Sequence, residues 1–154
     1  MNTKRKNISV KISLVIAILV LAALVVFAFV LPRLVDYYTS LRGRSEFLTQ
    51  NDKIAVTIML YLILIPAFGA DISLISLLGI VNKGNVFTLH SVKLLRFISY
   101  CCFAEVLLFC AISKYFILGL VIAFAALFLG IVLRVVKNVI EEAVTIKEEN
   151  DFTV

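Results

Sequence analysis

Two acidic residues and one basic residue interrupt the apolar part of this sequence, and they are the first candidates for chemistry. Asp71, Arg96 and Glu105 all lie in or beside long apolar runs. A charged side chain in hydrocarbon costs about 2.5–3.5 kcal/mol on insertion scales, so each such group calls for a partner or a function. Groups of this kind can form an ion pair, bind an ion or relay a proton.

We predict an intramembrane ion pair between Asp71 and Arg96. Asp71 lies 13 residues before Gly84 and Arg96 lies 12 residues after it. An antiparallel helical hairpin that turns at Gly84 would bring the two residues to nearly the same depth, where a pair would fix one helix against the other. Two alternatives stay open: Arg96 extends to the membrane surface without Asp71, or the pair is a gate or proton site.

Tyr61 is the predicted partner of Glu105. The two residues lie 23 and 21 residues from Gly84, on opposite sides of the turn. Their equal depth favours a hydrogen bond between the phenol and the acid, with the acid in its protonated form. The alternatives are pairing with Arg33 or Lys114, and a role in a proton relay or ion site.

No catalytic or metal-binding pattern accompanies these groups. His90 is the single histidine, and the three cysteines, Cys101, Cys102 and Cys110, lie in one apolar run without CxxC or Cys/His spacing. The sequence contains no GxGxxG, GxxxxGK[ST] or HExxH motif. We therefore predict no catalytic residue, no metal site and no cofactor, and we expect the protein not to be an enzyme.

Four predicted transmembrane helices position the charged residues. The chain has 154 residues, of which 62% are apolar and only 16% charged, too apolar a composition for a water-soluble domain of this size. Apolar runs cover 12–31, 54–81, 88–111 and 115–136, and each is long enough to cross a bilayer core of about 30 Å. We predict a single all-α membrane domain over 1–154, a polytopic antiparallel bundle of four helices.

Proline, glycine and polar residues mark the predicted ends of these helices. Pro32 is expected to close the first helix and open an external loop over 32–53. Residues 82–85 form a compact turn, and the fourth helix is expected to continue as a polar helix into an acidic tail over 141–154. Pro66 predicts a kink in the second helix, which is either a hinge or a fixed packing feature.

Small residues recur on one face of the fourth helix. They are Gly119, Ala123, Ala126 and Gly130. Their spacing lets another helix approach closely, either a neighbour in the same bundle or a helix of a second copy or a partner.

Lysine and arginine predict the orientation of the spans. Ten lie in the N-terminal tail, the 82–96 region and the C-terminal part, and five lie in the 32–53 loop and at Lys114. The side with the excess should be cytoplasmic, so both termini are expected inside. The positive residues form no stripe that would bind nucleic acid directly. The first apolar run is longer than that of a signal peptide, and we expect it to be retained.

The C-terminal tail has the only concentrated polar signal. Its acidic residues are Glu141, Glu142, Glu148, Glu149 and Asp151. With one lysine they give the tail a net charge of −4, on the same predicted side as the basic N-terminal tail. The tail is either a solvated helix end or a docking surface for a basic cytoplasmic partner or for the N-terminal tail.

Two groups of motifs give the sequence a family resemblance. NVFT at 85–88 is followed by KLLR at 93–96, and EEA at 141–143 is followed by KEENDFTV at 147–154. These motifs resemble the YoaS-like family of small bacterial membrane proteins, known as domain of unknown function 2975, over roughly residues 52–154. Members often have proline where this chain has Val86 and isoleucine where it has Val154.

The resemblance implies a four-helix protein of the bacterial plasma membrane. It also implies a gene that commonly neighbours one for a very small helix-turn-helix DNA-binding protein, and it supplies no catalytic residue. The leading hypothesis is therefore a membrane sensor or regulatory partner of such a regulator, acting through the acidic tail. An immunity protein against a membrane-active peptide and a small transporter or channel subunit are the alternatives, and the bilayer and a homo-oligomer are further expected contacts.

Overall fold

The fold consists of four long helices. The computed structural model describes residues 3–41, 50–84 and 87–151. The helices are α1 (Thr3–Leu41), α2 (Gln50–Asn82), α3 (Leu89–Ile112) and α4 (Leu118–Asp151). Each is long and apolar enough to cross a membrane, and no strand occurs in these residues. The predicted all-α polytopic membrane protein with four spans is confirmed.

The first helix does not end at Pro32, so that prediction was wrong. α1 continues through this proline to Leu41. Proline lacks one backbone donor, but its fixed φ is compatible with a helix. Leu31 and Val35, one on each side of it, are buried against Leu64 of α2, and this packing favours a continuous helix over a break.

The predicted external loop is correspondingly shorter. Residues 32–41 belong to α1 and residues 50–53 to α2, and 42–49 lie outside the described residues. Asp36 of α1 forms an ion pair with Lys53 of α2, with 3.7 Å between Oδ1 and Nζ. The ends of the two helices are therefore joined by charge as well as by the connection.

A tight turn joins α2 to α3, as the sequence predicts. Gly84 has a φ of +83°, in the left-handed region where glycine has no steric penalty. Its amide donates to the carbonyl of Val81 at 3.0 Å. The hydroxyl of Thr88 accepts a hydrogen bond from the Ser91 amide at 3.3 Å and so caps the start of α3.

The fourth helix begins at Leu118, three residues later than predicted, and then continues unbroken to Asp151. Residues 113–117 form the reversal from α3, in which the Tyr115 amide donates to the Ile112 carbonyl at 2.9 Å. No glycine or proline follows Gly130 to end the helix. The predicted continuation of this helix into the acidic tail is confirmed.

The helices pack in chain order, as an antiparallel row. α1 contacts α2, α2 contacts α3 and α3 contacts α4, whereas no other pair of helices in the described residues has Cα atoms within 8 Å. α1 and α4 are therefore the two edges of the row. The start of α1 and the end of α4 lie at the same end of the molecule, because the row contains an even number of antiparallel helices.

Buried residues are confined to the contacts between neighbouring helices. One cluster joins Leu31 and Val35 to Leu64, and another joins Val56 and Ile63 to Ile112. Many large apolar side chains are exposed instead, which is expected where lipid tails surround the protein.

Candidate functional site

The small-residue face of α4 packs against α3. A Cβ atom added at Gly119 would lie 3.0 Å from the carbonyl oxygen of Phe109, and one added at Gly130 would lie 3.3 Å from the Cβ of Cys102. Ala123 is buried and Ala126 is half-buried. Of the sequence alternatives, the structure therefore shows packing within one chain at this face.

A buried hydrogen bond fixes the register of this contact. The hydroxyl of Ser99 donates to the carbonyl oxygen of Gly130 at 3.0 Å. The absence of a side chain at Gly130 allows the two backbones to approach closely enough for it. Residues three and four positions from Ser99 on α3 therefore also face α4.

Arg96 contacts the start of the acidic tail. Its Nη2 donates to Oε1 of Glu141 at 3.0 Å, and Nζ of Lys137 lies 2.6 Å from Oε2 of the same carboxylate. One acid of α4 thus bridges a cation of α3 and a cation of its own helix. We call these three residues the charge clasp.

The predicted ion pair between Asp71 and Arg96 does not form. Arg96 lies three residues before Ser99 and so shares its α4-facing side, whereas Asp71 belongs to α2. Equal depth was a correct argument for proximity along the membrane normal, but it did not include the rotation of each side chain about its helix axis.

Asp71 lies on the side of α2 that faces α1. It comes three residues after Phe68 and seven after Leu64, and both of these pack in the cluster with α1. The facing apolar run of α1, 12–31, contains no charge. The Oδ2 atom of Asp71 is buried without a hydrogen-bond partner.

Glu105 lies on the side of α3 that faces α2. It comes four residues after Cys101, whose sulfur would be 3.6 Å from a Cβ atom added at Gly69 of α2. Its Oε2 atom is also buried without a hydrogen-bond partner.

The predicted hydrogen bond between Tyr61 and Glu105 does not form either. The Tyr61 hydroxyl donates at 3.3 Å to the carbonyl of Ala28, on α1. Tyr61 and Glu105 therefore face different helices, although their depths match.

The three charged residues of the apolar runs, which a transporter or channel would need close together, thus lie at three different helix contacts. Asp71 is at the contact of α1 with α2, Glu105 at that of α2 with α3, and Arg96 at that of α3 with α4. The structure does not bring them together as one constellation. Pro66 lies inside an unbroken α2, and the kink expected there stays a prediction.

Cysteine, histidine and acidic residues do not cluster as metal ligands. Among the described residues no three of them are placed to hold a metal ion together. The three cysteines are free thiols: Cys101 is buried, Cys102 half-buried and Cys110 exposed.

The acidic residues of the tail divide into two sets. Glu141 belongs to the charge clasp, whereas Glu142, Glu148 and Glu149 are exposed farther along α4. The side chain of Asp151 lies outside the described residues.

A second feature of the tail is the burial of Val144, which is only 3% exposed. Val144 lies three residues beyond Glu141, which contacts Arg96 of α3, and Ser91 and Val92 near the start of α3 are also buried. The first part of the tail therefore packs on α3 and is not simply a solvated helix end.

One contact in this region was not predicted from the sequence. The guanidinium carbon of Arg134 lies 5.9 Å from the centre of the Phe103 ring, a cation–π contact between α4 and α3. The i to i+4 spacing of Lys137 and Glu141 was a signal for half of the charge clasp, but nothing in the local sequence indicated Arg96 or Phe103 as partners from another helix.

Fold and site together define a small polytopic membrane protein with two acids that each have a buried, unpartnered oxygen atom, and with a charged contact between its last two helices. Within this class, the chain belongs to the family described as "Protein of unknown function (DUF2975)", whose model matches residues 46–154. It is also similar to the uncharacterized membrane protein YoaS of Bacillus subtilis (strain 168), with 29% identity over 98% of this chain and 99% of that protein. No solved structure matches.

Proposed function

We propose that this protein is a non-enzymatic membrane regulator whose acidic tail recruits a small basic DNA-binding protein to the membrane. The observation that supports this proposal is the continuity of α4, which extends from the apolar Leu118 to the acidic Asp151 without a break. A rigid helix of this kind couples a change within the membrane to the position of the tail. The acids beyond Glu141 give the tail its attraction for a basic surface.

The charge clasp supplies the second half of the proposal. Glu141, the first acid of the tail, is held between Arg96 and Lys137, so the direction of the tail depends on how α3 and α4 pack. A signal in the bilayer that changes this packing would change the presentation of Glu142 and the later acids. The regulator would then be bound or released.

The proposed orientation places both termini in the cytoplasm and the protein in the plasma membrane. The excess of lysine and arginine on that side supports it. The row of four antiparallel helices is compatible with it, because the first and last helices have their free ends at the same end of the molecule.

Charge removal from the tail tests recruitment directly. The full chain is co-expressed with a very small helix-turn-helix DNA-binding protein of the kind that the family resemblance implies, and the membrane-bound fraction of that protein is measured after fractionation. The triple variant E142Q/E148Q/E149Q should lose most of the recruitment, because attraction of a basic surface depends on the summed charge.

A matched control removes three acids from the 32–53 segment of the sequence, outside the tail. The variant D36N/E46Q/D52N changes the net charge by the same amount and should keep recruitment. Both variants are first compared for abundance in the membrane. Equal recruitment by the tail variant and the unchanged chain would overturn the proposal.

A further inference from the structure

The two outer helices of the row carry opposite charges at the same end of the molecule. Residues 4–11 of α1 include four basic residues and no acid, whereas residues 141–151 of α4 have a net charge of −4. Among the described residues, α1 and α4 have no Cα atoms within 8 Å of each other, because they are the two edges of the row. The opposite charges therefore do not meet within one chain.

Each of these charges is also unfavourable for the helix that carries it. The macrodipole gives the N-terminal end of a helix a partial positive charge and the C-terminal end a partial negative charge. The first turn of α1 contains basic residues and no acid, and the last turn of α4 contains acids and no basic residue. A neighbouring helix end of opposite charge would relieve the repulsion at both.

Apolar side chains are exposed among these charged residues. Ile8 of α1 is 55% exposed, and Val139 and Ile146 of α4 are 62% and 54% exposed. Ile8 precedes the charge-free run that begins at residue 12, and the other two follow Lys137. Lipid tails do not cover residues in such charged segments, and exposed apolar surface that lipid does not cover marks a contact with protein.

These side chains belong to an outer stripe on each edge helix. The outer stripes consist of Ile8, Ile12 and Val15 on α1 and of Val139, Glu142 and Ile146 on α4, all of them exposed. Gly130 packs against α3 and Leu24 against α2. Val139 and Val15 lie nine residues from these two contacts, which is half a turn around the helix beyond two full turns. Both outer stripes therefore face away from the rest of the row.

We propose that the outer stripe of α4 in one chain binds the outer stripe of α1 in a second copy, with the two helices antiparallel. This contact places the acidic end of α4 beside the basic start of α1 and covers the exposed apolar side chains. A contact of α4 with α4, or of α1 with α1, would bring like charges together. Each chain has one edge of each kind, so the contact repeats until the assembly closes.

Crosslinking between two differently tagged copies of the full chain tests this contact, in membranes that contain no regulator. In both copies the three native cysteines are replaced by alanine. One copy then carries Ile8→Cys and the other Ile146→Cys, and a short bifunctional maleimide is added. We expect a product that contains both tags, and much weaker crosslinking when either variant is expressed with itself.

Phe87→Cys is the matched control for Ile146→Cys. Phe87 is an exposed apolar residue at the same end of the molecule, but it precedes α3 and so lies on neither edge of the row. Its crosslinking to Ile8→Cys should be weak. Equal yields from the two pairs, or self-crosslinking as strong as the mixed product, would overturn the proposal. So would a crosslink within one chain that carries both Ile8→Cys and Ile146→Cys, since the row would then close on itself.

Removal of acids from the tail tests the contribution of charge. E142Q/E148Q, introduced into the Ile146→Cys copy, should lower the yield of the mixed product about fivefold, the factor expected for two exposed ion pairs. D36N/D52N removes two acids at the opposite end of the molecule and should leave the yield unchanged. Equal yields from these two double variants would contradict the charge argument and overturn the proposal.

Discussion

Gly119 leaves less room at the contact of α3 with α4 than a methyl group needs. An added Cβ atom would lie 3.0 Å from the carbonyl oxygen of Phe109 and 3.2 Å from Cγ2 of Ile112. Since the nearest atom belongs to the backbone, it cannot move aside without shifting the helix. The exclusion of a side chain at Gly119 is therefore a condition for the close approach of the two helices.

We expect Gly119→Ala to lower the free energy of unfolding by about 1–3 kcal/mol, the usual cost of overpacking. The measurement is reversible unfolding in detergent micelles. Gly79→Ala is the control, because nothing lies within 4 Å of a Cβ atom added in α2 at that position, and it should be neutral or stabilising by about 0.5–1 kcal/mol. Similar losses in both variants would contradict the steric argument.

The two acids with a buried oxygen atom lead to a second prediction for single residues. Neither Oδ2 of Asp71 nor Oε2 of Glu105 has a hydrogen-bond partner, so Asp71→Asn and Glu105→Gln remove no interaction of those atoms. We expect neither variant to lower the free energy of unfolding in the same micelles. A loss of about 1.5–3 kcal/mol, typical of a broken hydrogen bond to a charged group, would indicate a partner outside this chain.

At the scale of helices, the sequence predicted the depth of residues along the membrane normal well, but it predicted poorly which face of a helix each residue occupies. The number of residues from Gly84 placed Asp71 and Arg96 at similar depth, but it contained no information on which face of each helix meets which neighbour. In a soluble helix an apolar stripe supplies that information. A membrane helix is apolar on all sides, so the stripe is missing, and small residues such as Gly130 are the remaining signal.

Pro32 shows that packing between helices can also override a local signal for the end of a helix. Its local preference indicated a stop, whereas packing of Leu31 and Val35 on α2 carries the helix through it. Gly84 gave a correct turn because a residue with positive φ has a purely local cause. Local signals were therefore reliable where no tertiary contact opposed them.

Burial of Val144 predicts that the first part of the acidic tail is docked on α3. Val144→Asp would place a charge in this contact, and we expect faster hydrogen–deuterium exchange of the amides over 137–150 because the packed helix opens more often. Exchange is measured by mass spectrometry in micelles.

Ile146→Asp is the matched control for this prediction. Ile146 lies on the same helix two residues farther on and is 54% exposed, so an acid there should leave exchange nearly unchanged. Equal acceleration in both variants would mean that the tail is held by helix propensity alone and not by its contact with α3.

At the scale of the whole molecule, composition predicted four spans correctly, and the packing order came only from the structure. A row in which each helix touches only its neighbours in sequence leaves α1 and α4 with wide lipid-facing surfaces. Two charged contacts lie at opposite ends of the molecule along the helix axes. Asp36 pairs with Lys53 at one end, and Arg96 pairs with Glu141 at the other. These two ends are where the molecule meets the two membrane surfaces.

The antiparallel row predicts the accessibility of single cysteines from each side of the membrane. In a chain whose three native cysteines are replaced by alanine, Lys83→Cys and Asn150→Cys should react with a membrane-impermeant maleimide from the same side, because both lie at the end of the molecule that holds the charge clasp. Lys114→Cys, at the opposite end, should react only from the other side. With intact cells, reaction of Lys114→Cys alone would agree with cytoplasmic termini. Reaction of Lys83→Cys and Asn150→Cys alone would reverse the proposed orientation and keep the fold, whereas a difference between these two positions would contradict the antiparallel row itself.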